Sequence, residues 1–164
     1  MKFYLVDRIV SLEPGKRIVA IKNLTAAEEY LADHFPTFPM MPGVMMLEAC
    51  VQSAAWLVRL MTDWSAPLID LRTARNVRYA NFVAPGDTMK VQADFEKSDG
   101  GIYVFKCLGS VNDSTTVSAK IELRAQSVAS VDPSMAWADK QIVEQMKLRF
   151  KLCGGEELLS VMCN

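Results

Sequence analysis

The sequence predicts an α+β domain in which one curled antiparallel sheet wraps a long buried helix. Three observations support this fold class. The segment from Gly43 to Met61 has no proline and is apolar on almost every side, which is typical of a helix inside a domain. Stretches that alternate apolar and polar residues lie before it and after it, between residues 3 and 128. Turn residues separate these stretches, as they separate the strands of a meander.

Length and composition are those of one soluble globular domain. The chain has 164 residues, of which 51% are hydrophobic and 23% are charged. Its formal net charge of −1 gives no support for nucleic-acid binding or for attachment to a membrane surface. No secretory signal is recognisable, and Glu48, Gln52 and Arg59 argue against a membrane span. We therefore expect a cytoplasmic protein whose four cysteines, which lack metal-binding spacing, are reduced thiols.

A hairpin and a short helix are predicted before the apolar helix. Residues 3–12 and 17–22 alternate in polarity around a Glu-Pro-Gly-Lys turn, which predicts a β-hairpin. Thr25 is followed three residues later by Glu28, which fits a capping box and predicts a short helix. The proline-rich segment from His34 to Pro42 then excludes a regular helix or a central strand.

Four strands and a further helix are predicted after the apolar helix. The strands are bounded by turn residues and lie at 68–82, with a bend near Asn76, and at 88–97, 102–111 and 115–128. Asp132 is a candidate N-cap with Pro133 at the first helical position, and Gly154-Gly155 predicts the end of that helix. Its apolar stripe is predicted to pack on the domain and consists of Ala138, Ile142, Val143, Met146 and Phe150. One domain thus spans 1–164, with a core at about 3–128 and a helix and tail at 132–164.

The proline-rich loop and the start of the apolar helix hold the residues best suited to chemistry. His34 is the only histidine, and histidine side chains change protonation near neutral pH. Glu48 lies within the apolar helix, where burial favours a protonated carboxyl group. General acid–base catalysis requires one group that accepts a proton and one that donates it. Gly43 opens the helix and can bring a backbone N–H close to a substrate carbonyl.

Each of these residues also has a purely structural interpretation. A histidine beside prolines is more often a structural hydrogen-bonding group, and a buried Glu48 can pair with Arg59 or Arg78. Gly43 can serve only the turn into the helix. Methionines near the loop are more often core residues than a ligand channel, and they are Met40, Met41, Met45 and Met46. The functional interpretation is favoured because all of these residues fall within about fifteen positions.

A longer pattern across this region resembles a known family. The matching positions keep a fixed register and are His34, Phe35, Pro36, Pro39, Pro42, Gly43, Val44, Glu48, Ala49 and Gln52. They are similar to the signature of the FabZ-type β-hydroxyacyl-(acyl-carrier-protein) dehydratases. The segments 5–8, 12–16 and 82–87 resemble flanking parts of the same family. The resemblance extends over about residues 3–128 and implies the hotdog fold, in which a sheet wraps a central helix.

The resemblance also implies a reaction and a role for each site residue. The reaction is dehydration of a 3-hydroxyacyl thioester to the trans-2-enoyl thioester in fatty-acid or related biosynthesis, with no metal or redox cofactor. His34 would take the proton from C2, and Glu48 of a second subunit would protonate the departing hydroxyl group. Gly43 would polarise the thioester carbonyl, and Gln52 would orient Glu48. Candidates to line the mouth of the acyl tunnel are Phe38, Met45 and Met46.

Partners follow from the same resemblance. It implies an acyl carrier protein that presents the substrate, and a homodimer that can assemble into a trimer of dimers. Because carrier proteins are acidic, Arg72, Arg75 and Arg78 are candidates for a docking site. Solvated or interface charges are an equally good interpretation of these arginines.

Three positions depart from the family pattern and keep other functions open. Asp33, Thr37 and Phe38 replace the residues usual at those positions, while the catalytic pair is intact. These departures favour a specialised relative. The alternatives are a hotdog thioesterase or isomerase, and a non-catalytic acyl-carrier-binding subunit.

Overall fold

A six-stranded antiparallel sheet curls around one long helix, α1, which spans Gly43–Met61 in the computed structural model. The structure describes residues 3–35, 37–130 and 132–162. The strands are β1 Arg8–Glu13, β2 Arg17–Asn23, β3 Leu68–Tyr79, β4 Thr88–Asp99, β5 Ile102–Val111 and β6 Ser114–Gln126. Their order in the sheet is β1-β2-β4-β5-β6-β3. Two helices follow the sheet, α2 Ala136–Leu152 and α3 Gly155–Met162.

The helix α1 lies at the centre of the hydrophobic core. Its middle turns are buried and contact β2 to β6, with Ala49, Ala54 and Leu57 fully inaccessible. On β4, Met89 and Val91 are buried against it, as the alternating pattern predicts. By length and hydropathy α1 would also suit a membrane span, but 61% of its most apolar window is buried inside the domain. It therefore serves as the core helix of the fold.

The predicted α+β fold is confirmed, and most of its elements are where the sequence places them. The apolar helix spans the predicted 43–61, and β5 spans the predicted 102–111. The bend predicted in β3 is present, because Asn76 has φ of 53° and the pairing of β3 with β6 shifts register between Arg75 and Arg78. The proline-rich segment before α1 has neither helix nor strand among its described residues.

Two predictions before α1 are wrong. The first strand begins at Arg8 rather than at residue 3, because the preceding residues run over α1, where the Leu5 N–H donates to Gln52. The capping box does not form. Glu28 instead pairs with the buried ammonium group of Lys22 at 2.6 Å, and only one 3₁₀ turn, Glu29–Leu31, follows. An ion pair with a buried lysine therefore outweighs the local capping pattern.

The C-terminal region differs from its prediction at both ends of α2. Asp132 caps a 3₁₀ turn, Pro133–Met135, by accepting a hydrogen bond from the Ser134 N–H, and α2 begins only at Ala136. Gly154 ends α2 with φ of 82°, as predicted, but Gly155 begins α3 instead of a tail. A Cβ at Gly155 would lie 2.3 Å from the ring of Phe150, so this tight corner requires glycine.

The packing of α2 explains its apolar stripe. Phe150 is 2% exposed, and its ring centroid lies 5.7 Å from those of Trp56 and Trp64. Met146 also packs against the core. Helix α3 then contacts β1. The C-terminal extension is therefore anchored on the domain at both helices.

The described cysteines are packing residues. Cys50, Cys107 and Cys153 are buried and form no disulfide, and Cys163 lies outside the described residues. Contact with Cys50 and burial raise the pKa of the Cys107 thiol well above its ordinary value. This thiol is therefore protonated and unreactive at neutral pH.

Candidate active site

The loop before α1 fixes the imidazole of His34 in one orientation. The His34 side chain is half-buried, and its Nδ1 lies 3.0 Å from the carbonyl oxygen of Met40. A carbonyl oxygen can only accept, so Nδ1 is the donor, and in the neutral tautomer that fits this contact Nε2 holds the lone pair. The loop is tied to the connection between β3 and β4, where the Met41 N–H donates to the Val83 carbonyl at 2.9 Å. The arrangement leaves Nε2 as a base held in place by the fold.

His34 opens onto a cavity of about 310 Å³ that also reaches the start of α1. Its walls are mostly apolar or aromatic and comprise His34, Phe35, Met40, Met41, Gly43, Met46, Tyr79, Ala80, Asn81 and Phe82. The N–H groups of Met45 and Met46 donate to the Pro42 carbonyl. Those of Gly43 and Val44 have no acceptor in the described part of the chain. Of these two residues, Gly43 lines the cavity, which therefore combines a base with a free N–H group at a helix N-terminus, where negative charge is stabilised.

Gly43 lies directly under the ring of Tyr79. A Cβ built on Gly43 would be 3.0 to 3.2 Å from three ring carbons of Tyr79, closer than side chains normally approach. Burial is the main cause that raises the pKa of the Tyr79 phenol, so its hydroxyl stays protonated at neutral pH. The ring thus covers one side of the helix start.

Glu48 and Gln52 form a second group of polar side chains, which begins more than one helical turn after Gly43 on α1. The Gln52 Nε2 donates to Glu48 Oε1 at 2.9 Å and to the Phe3 carbonyl at 3.1 Å, while its Oε1 accepts from the Leu5 N–H. All three bonds fix the amide orientation of Gln52. One oxygen of the half-buried Glu48 carboxyl group is thereby positioned, and Oε2 remains available for another partner.

His34 and Glu48 line different cavities of the chain. The Glu48 cavity measures about 240 Å³ and is lined by Phe3, Tyr4, Glu48, Val51, Gln52, Ala55, Trp56, Arg59, Ile69, Met146 and Arg149. Glu48 is five residues beyond Gly43, a rotation of about 140° around a helix with 3.6 residues per turn. The structure therefore brings His34 together with Gly43, and Glu48 together with Gln52, but it does not join the two pairs within one chain.

The tunnel candidates separate in the same way. Met46 lines the His34 cavity, whereas Met45 is half-buried and packs on the core outside its lining. Phe38 is 58% exposed, and its ring contacts Phe82 edge-on at 6.2 Å between centroids. Phe38 therefore stands at the rim of the cavity.

The three arginines of β3 have different surroundings. Arg75 lies 3.7 Å from Glu122 across the sheet. Arg78 borders a groove of about 540 Å³ on the outer face of the sheet, which Lys106 and Lys120 also line. Arg72 is exposed. Glu96 lines the same groove and pairs with Lys120, so Lys106 is the lysine that extends the positive charge around Arg78.

Sequence reasoning missed several residues of the two cavities. Tyr79 and Phe82 reach His34 from the end of β3, and the only signal for them was their position just before a Pro-Gly-Asp turn. Arg149 lines the Glu48 cavity from α2. Arg59, which the sequence offers as a structural partner of Glu48, lines the same cavity. Within 3–35, 37–130 and 132–162, no three His, Cys, Asp or Glu side chains cluster in a way that could hold a metal ion.

Comparisons with known proteins identify related sequences and folds. The model of the FabA-like domain family matches residues 1–120. The chain is 37% identical over 125 residues to the 3-hydroxyacyl-(acyl-carrier-protein) dehydratase FabZ of Wolbachia pipientis wMel. That alignment covers 76% of this chain and 87% of the relative. It is 40% identical over 131 residues to the FabZ dehydratase of Acidovorax sp. (strain JS42). That alignment covers 77% of this chain and 90% of the relative. Among solved structures, the dehydratase heterocomplex ApeI:P from Xenorhabdus doucetiae has the same fold, with a TM-score of 0.64 and 14% identity over 80% of this chain and 89% of that one.

Proposed function

We propose that His34 and Glu48 catalyse the reaction of this chain, which belongs to the FabA-like family and, within it, to the FabZ-type dehydratases. That reaction is the dehydration of 3-hydroxyacyl-(acyl-carrier-protein) in fatty-acid biosynthesis. The observation that carries the proposal is the His34–Met40 hydrogen bond. It leaves Nε2 free to accept a proton in a cavity that also holds the unpaired N–H group of Gly43.

The arrangement of these groups suits an elimination. His34 Nε2 removes the proton from C2 of the substrate, and the electrons of that C–H bond form the C2=C3 double bond. The C3–O bond breaks as the Glu48 carboxyl group donates a proton, so the hydroxyl group leaves as water. The Gly43 N–H stabilises the negative charge that develops on the thioester oxygen. Transfer of the proton from His34 back to Glu48 through solvent then prepares both groups for the next turnover.

A homodimer completes this site in the proposal. Glu48 projects from α1 about 140° away from Gly43, so one chain cannot easily offer both faces of the helix to the same substrate carbons. A second copy can place its Glu48 over the His34 cavity of the first. Symmetric pairing of identical chains is the commonest route to such a shared site.

An acyl carrier protein is the proposed partner, and the cytoplasm the proposed location. The substrate thioester is carried on such a protein in the relatives, as their names state. Arg78 and Lys106 give the outer sheet face positive charge that would attract an acidic carrier, while Lys120 in the same groove pairs with Glu96. Arg72 and Arg75 flank it on β3.

The test is a dehydration assay on a 3-hydroxyacyl-(acyl-carrier-protein) substrate. We expect the ultraviolet absorbance of the enoyl thioester to rise without release of free thiol, and thiol release would instead indicate a thioesterase. His34→Ala and Glu48→Gln should each lower kcat by about 10²-fold or more while the protein stays folded, because each removes one proton-transfer group. Glu144→Gln, an exposed carboxyl on α2, is the matched control and should retain the wild-type rate. Retention of most activity by either site variant would overturn the roles given to His34 and Glu48.

A further inference from the structure

The segment that precedes β1 runs over α1 without joining the sheet. Residues 3–6 are neither helix nor strand, and none of their backbone groups pairs with another backbone group in the described part of the chain. Leu5 and Val6 are nevertheless buried, and buried backbone polar groups are normally hydrogen-bonded. Partners for this segment come instead from the side chains of Gln52 on α1 and Arg149 on α2.

Gln52 connects this segment to Glu48. Its Oε1 accepts from the Leu5 N–H at 2.9 Å, and its Nε2 donates to the Phe3 carbonyl at 3.1 Å. The same Nε2 donates to Glu48 Oε1 at 2.9 Å. Because both ends of the Gln52 amide are bonded to the segment, the segment determines how that amide is turned. The orientation of the Glu48 carboxyl group therefore depends on where residues 3–6 lie.

Arg149 binds the segment at two points. Its Nη2 donates to the Val6 carbonyl at 3.1 Å, and its guanidinium carbon lies over the ring of Tyr4, 4.2 Å from the centroid. The same carbonyl also accepts from the thiol of Cys153, a weak donor, at 3.6 Å. Loss of the guanidinium group would leave the carbonyl of a buried residue without a strong donor, which costs free energy unless the segment shifts.

Both ends of this series of contacts border one cavity. Glu48, Gln52 and Arg149 line it, as does Tyr4 from the segment. Arg149 lies near the end of α2, beyond the residues that the family model matches. The C-terminal extension thus contacts the backbone that orients a proposed catalytic group.

We propose that Arg149 is a positioning residue for the dehydration, which fixes residues 3–6 so that they hold Gln52 and thereby direct the carboxyl group of Glu48. This inference rests on the proposed role of Glu48. Arg149 touches no reacting atom, and its effect reaches the reaction only through Gln52. Because the carboxyl group must be well oriented when it donates its proton in the transition state, loss of Arg149 lowers kcat rather than raising KM.

A double-variant cycle in the dehydration assay tests the path through Gln52. We expect Arg149→Met to lower kcat about threefold to tenfold with little change in KM, and Arg149→Lys, which keeps a charged donor, to recover part of that loss. Gln52→Met should lower kcat by at least as much. The double variant Gln52→Met, Arg149→Met should have the kcat of Gln52→Met alone, because the path is already broken. Lys140→Met, which removes an exposed charge from the same helix, is the matched control and should keep the wild-type kcat.

Amide hydrogen exchange measures the segment itself and does not depend on the folding of the Gln52 variant. The Leu5 N–H is bonded to Gln52, so we expect it to exchange slowly in the wild-type protein. In Arg149→Met its exchange should be about tenfold faster or more. The amide of Leu57, in the middle of α1, is the internal control and should change much less.

The outcomes distinguish this inference from the proposed function. If the wild-type protein does not dehydrate the substrate, the proposed function fails and this inference fails with it. If the wild type is active and Arg149→Met keeps its kcat, only the positioning role is overturned. If the losses of Arg149→Met and Gln52→Met multiply in the double variant, Arg149 acts by another path, such as the direct field of its charge on Glu48, and the positioning role is overturned. Unchanged exchange of the Leu5 amide in Arg149→Met would overturn it as well.

Discussion

At the scale of one residue, Gly43 is constrained by packing and also lies in the candidate active site. Its backbone does not require glycine, since its φ is not positive, and alanine is the better helix former by up to about 1 kcal/mol. The ring of Tyr79 supplies the constraint, because a Cβ on Gly43 would come within 3.0 Å of it. Gly43 also lines the cavity of His34, and its N–H has no acceptor in the described part of the chain.

We predict that Gly43→Ala lowers kcat/KM by at least about tenfold, because displacement of the helix start moves the N–H group from the substrate carbonyl. The overpacking should also cost stability, by about 1 kcal/mol after the gain in helix propensity, as chemical denaturation would measure. The double variant Gly43→Ala, Tyr79→Ala removes the clash and is the control. If its stability stayed as low as that of the single variant, contact with Tyr79 would not be the reason for glycine.

At this scale the sequence points to candidate residues through the chemistry of their own side chains. His34, Glu48 and Gln52 are candidates because a histidine, a carboxyl and an amide are chemically exceptional in an apolar motif. The importance of Tyr79 was not recognisable, because an aromatic residue at a strand end is ordinary until its neighbour across the fold is known.

At the scale of elements, the junction between β6 and α2 depends on one carboxylate. Asp139, in the first turn of α2, accepts hydrogen bonds from the Ser127 hydroxyl, the Val128 N–H and the Ala129 N–H. These bonds, chiefly the one from Ser127, lower the pKa of Asp139 below its ordinary value. The first turn of α2 is thereby held against the segment that follows β6.

We predict that this clamp stabilises the protein above the ordinary pKa of an aspartate and is lost on acidification. Because the pKa of Asp139 is lower in the folded state, the contribution is fully present near pH 7 and disappears as pH falls through the folded value. Asp139→Asn should therefore lower Tm at neutral pH and show a smaller Tm loss between neutral and acidic pH than the wild type. Thermal melts across that range measure both effects. Glu144→Gln, on the same helix, should leave the pH dependence of Tm unchanged, and equal pH profiles for Asp139→Asn and wild type would contradict the clamp.

The sequence predicts helices and strands correctly where the spacing of hydrophobic residues determines them. It fails where a contact with a residue distant in the chain determines the local structure. The apolar run of α1 and the alternation of β4 are intrinsic to the sequence, and both elements formed as expected. The capping box at Thr25 failed because Lys22, buried by the sheet, takes Glu28 as its counter-ion. Helix α3 was missed because Gly154-Gly155 reads as an end, whereas in the fold Gly155 packs under Phe150 and starts a new helix.

For the whole molecule, the fold follows from the sequence but the complete site does not. The pattern of apolar residues is enough to wrap a sheet around α1, and that arrangement is observed. The same helix then places Gly43 and Glu48 on different sides and in different cavities. No pattern within one chain specifies how a second chain would bring these surfaces together, because that depends on complementarity between folded surfaces.

We therefore predict that two inactive variants restore activity in each other. If His34 of one subunit acts with Glu48 of the other, a heterodimer of His34→Ala and Glu48→Gln chains contains one intact site and one doubly altered site. Random pairing of equal amounts makes half of the dimers mixed, so co-refolding the two variants should give about one quarter of wild-type activity in a two-fold symmetric dimer. Size-exclusion chromatography with light scattering establishes the dimer, and each variant refolded alone is the control. A pair of residues from the same chain would leave no intact site in any mixed dimer, so a mixture as inactive as its components would show that the site is not shared between subunits.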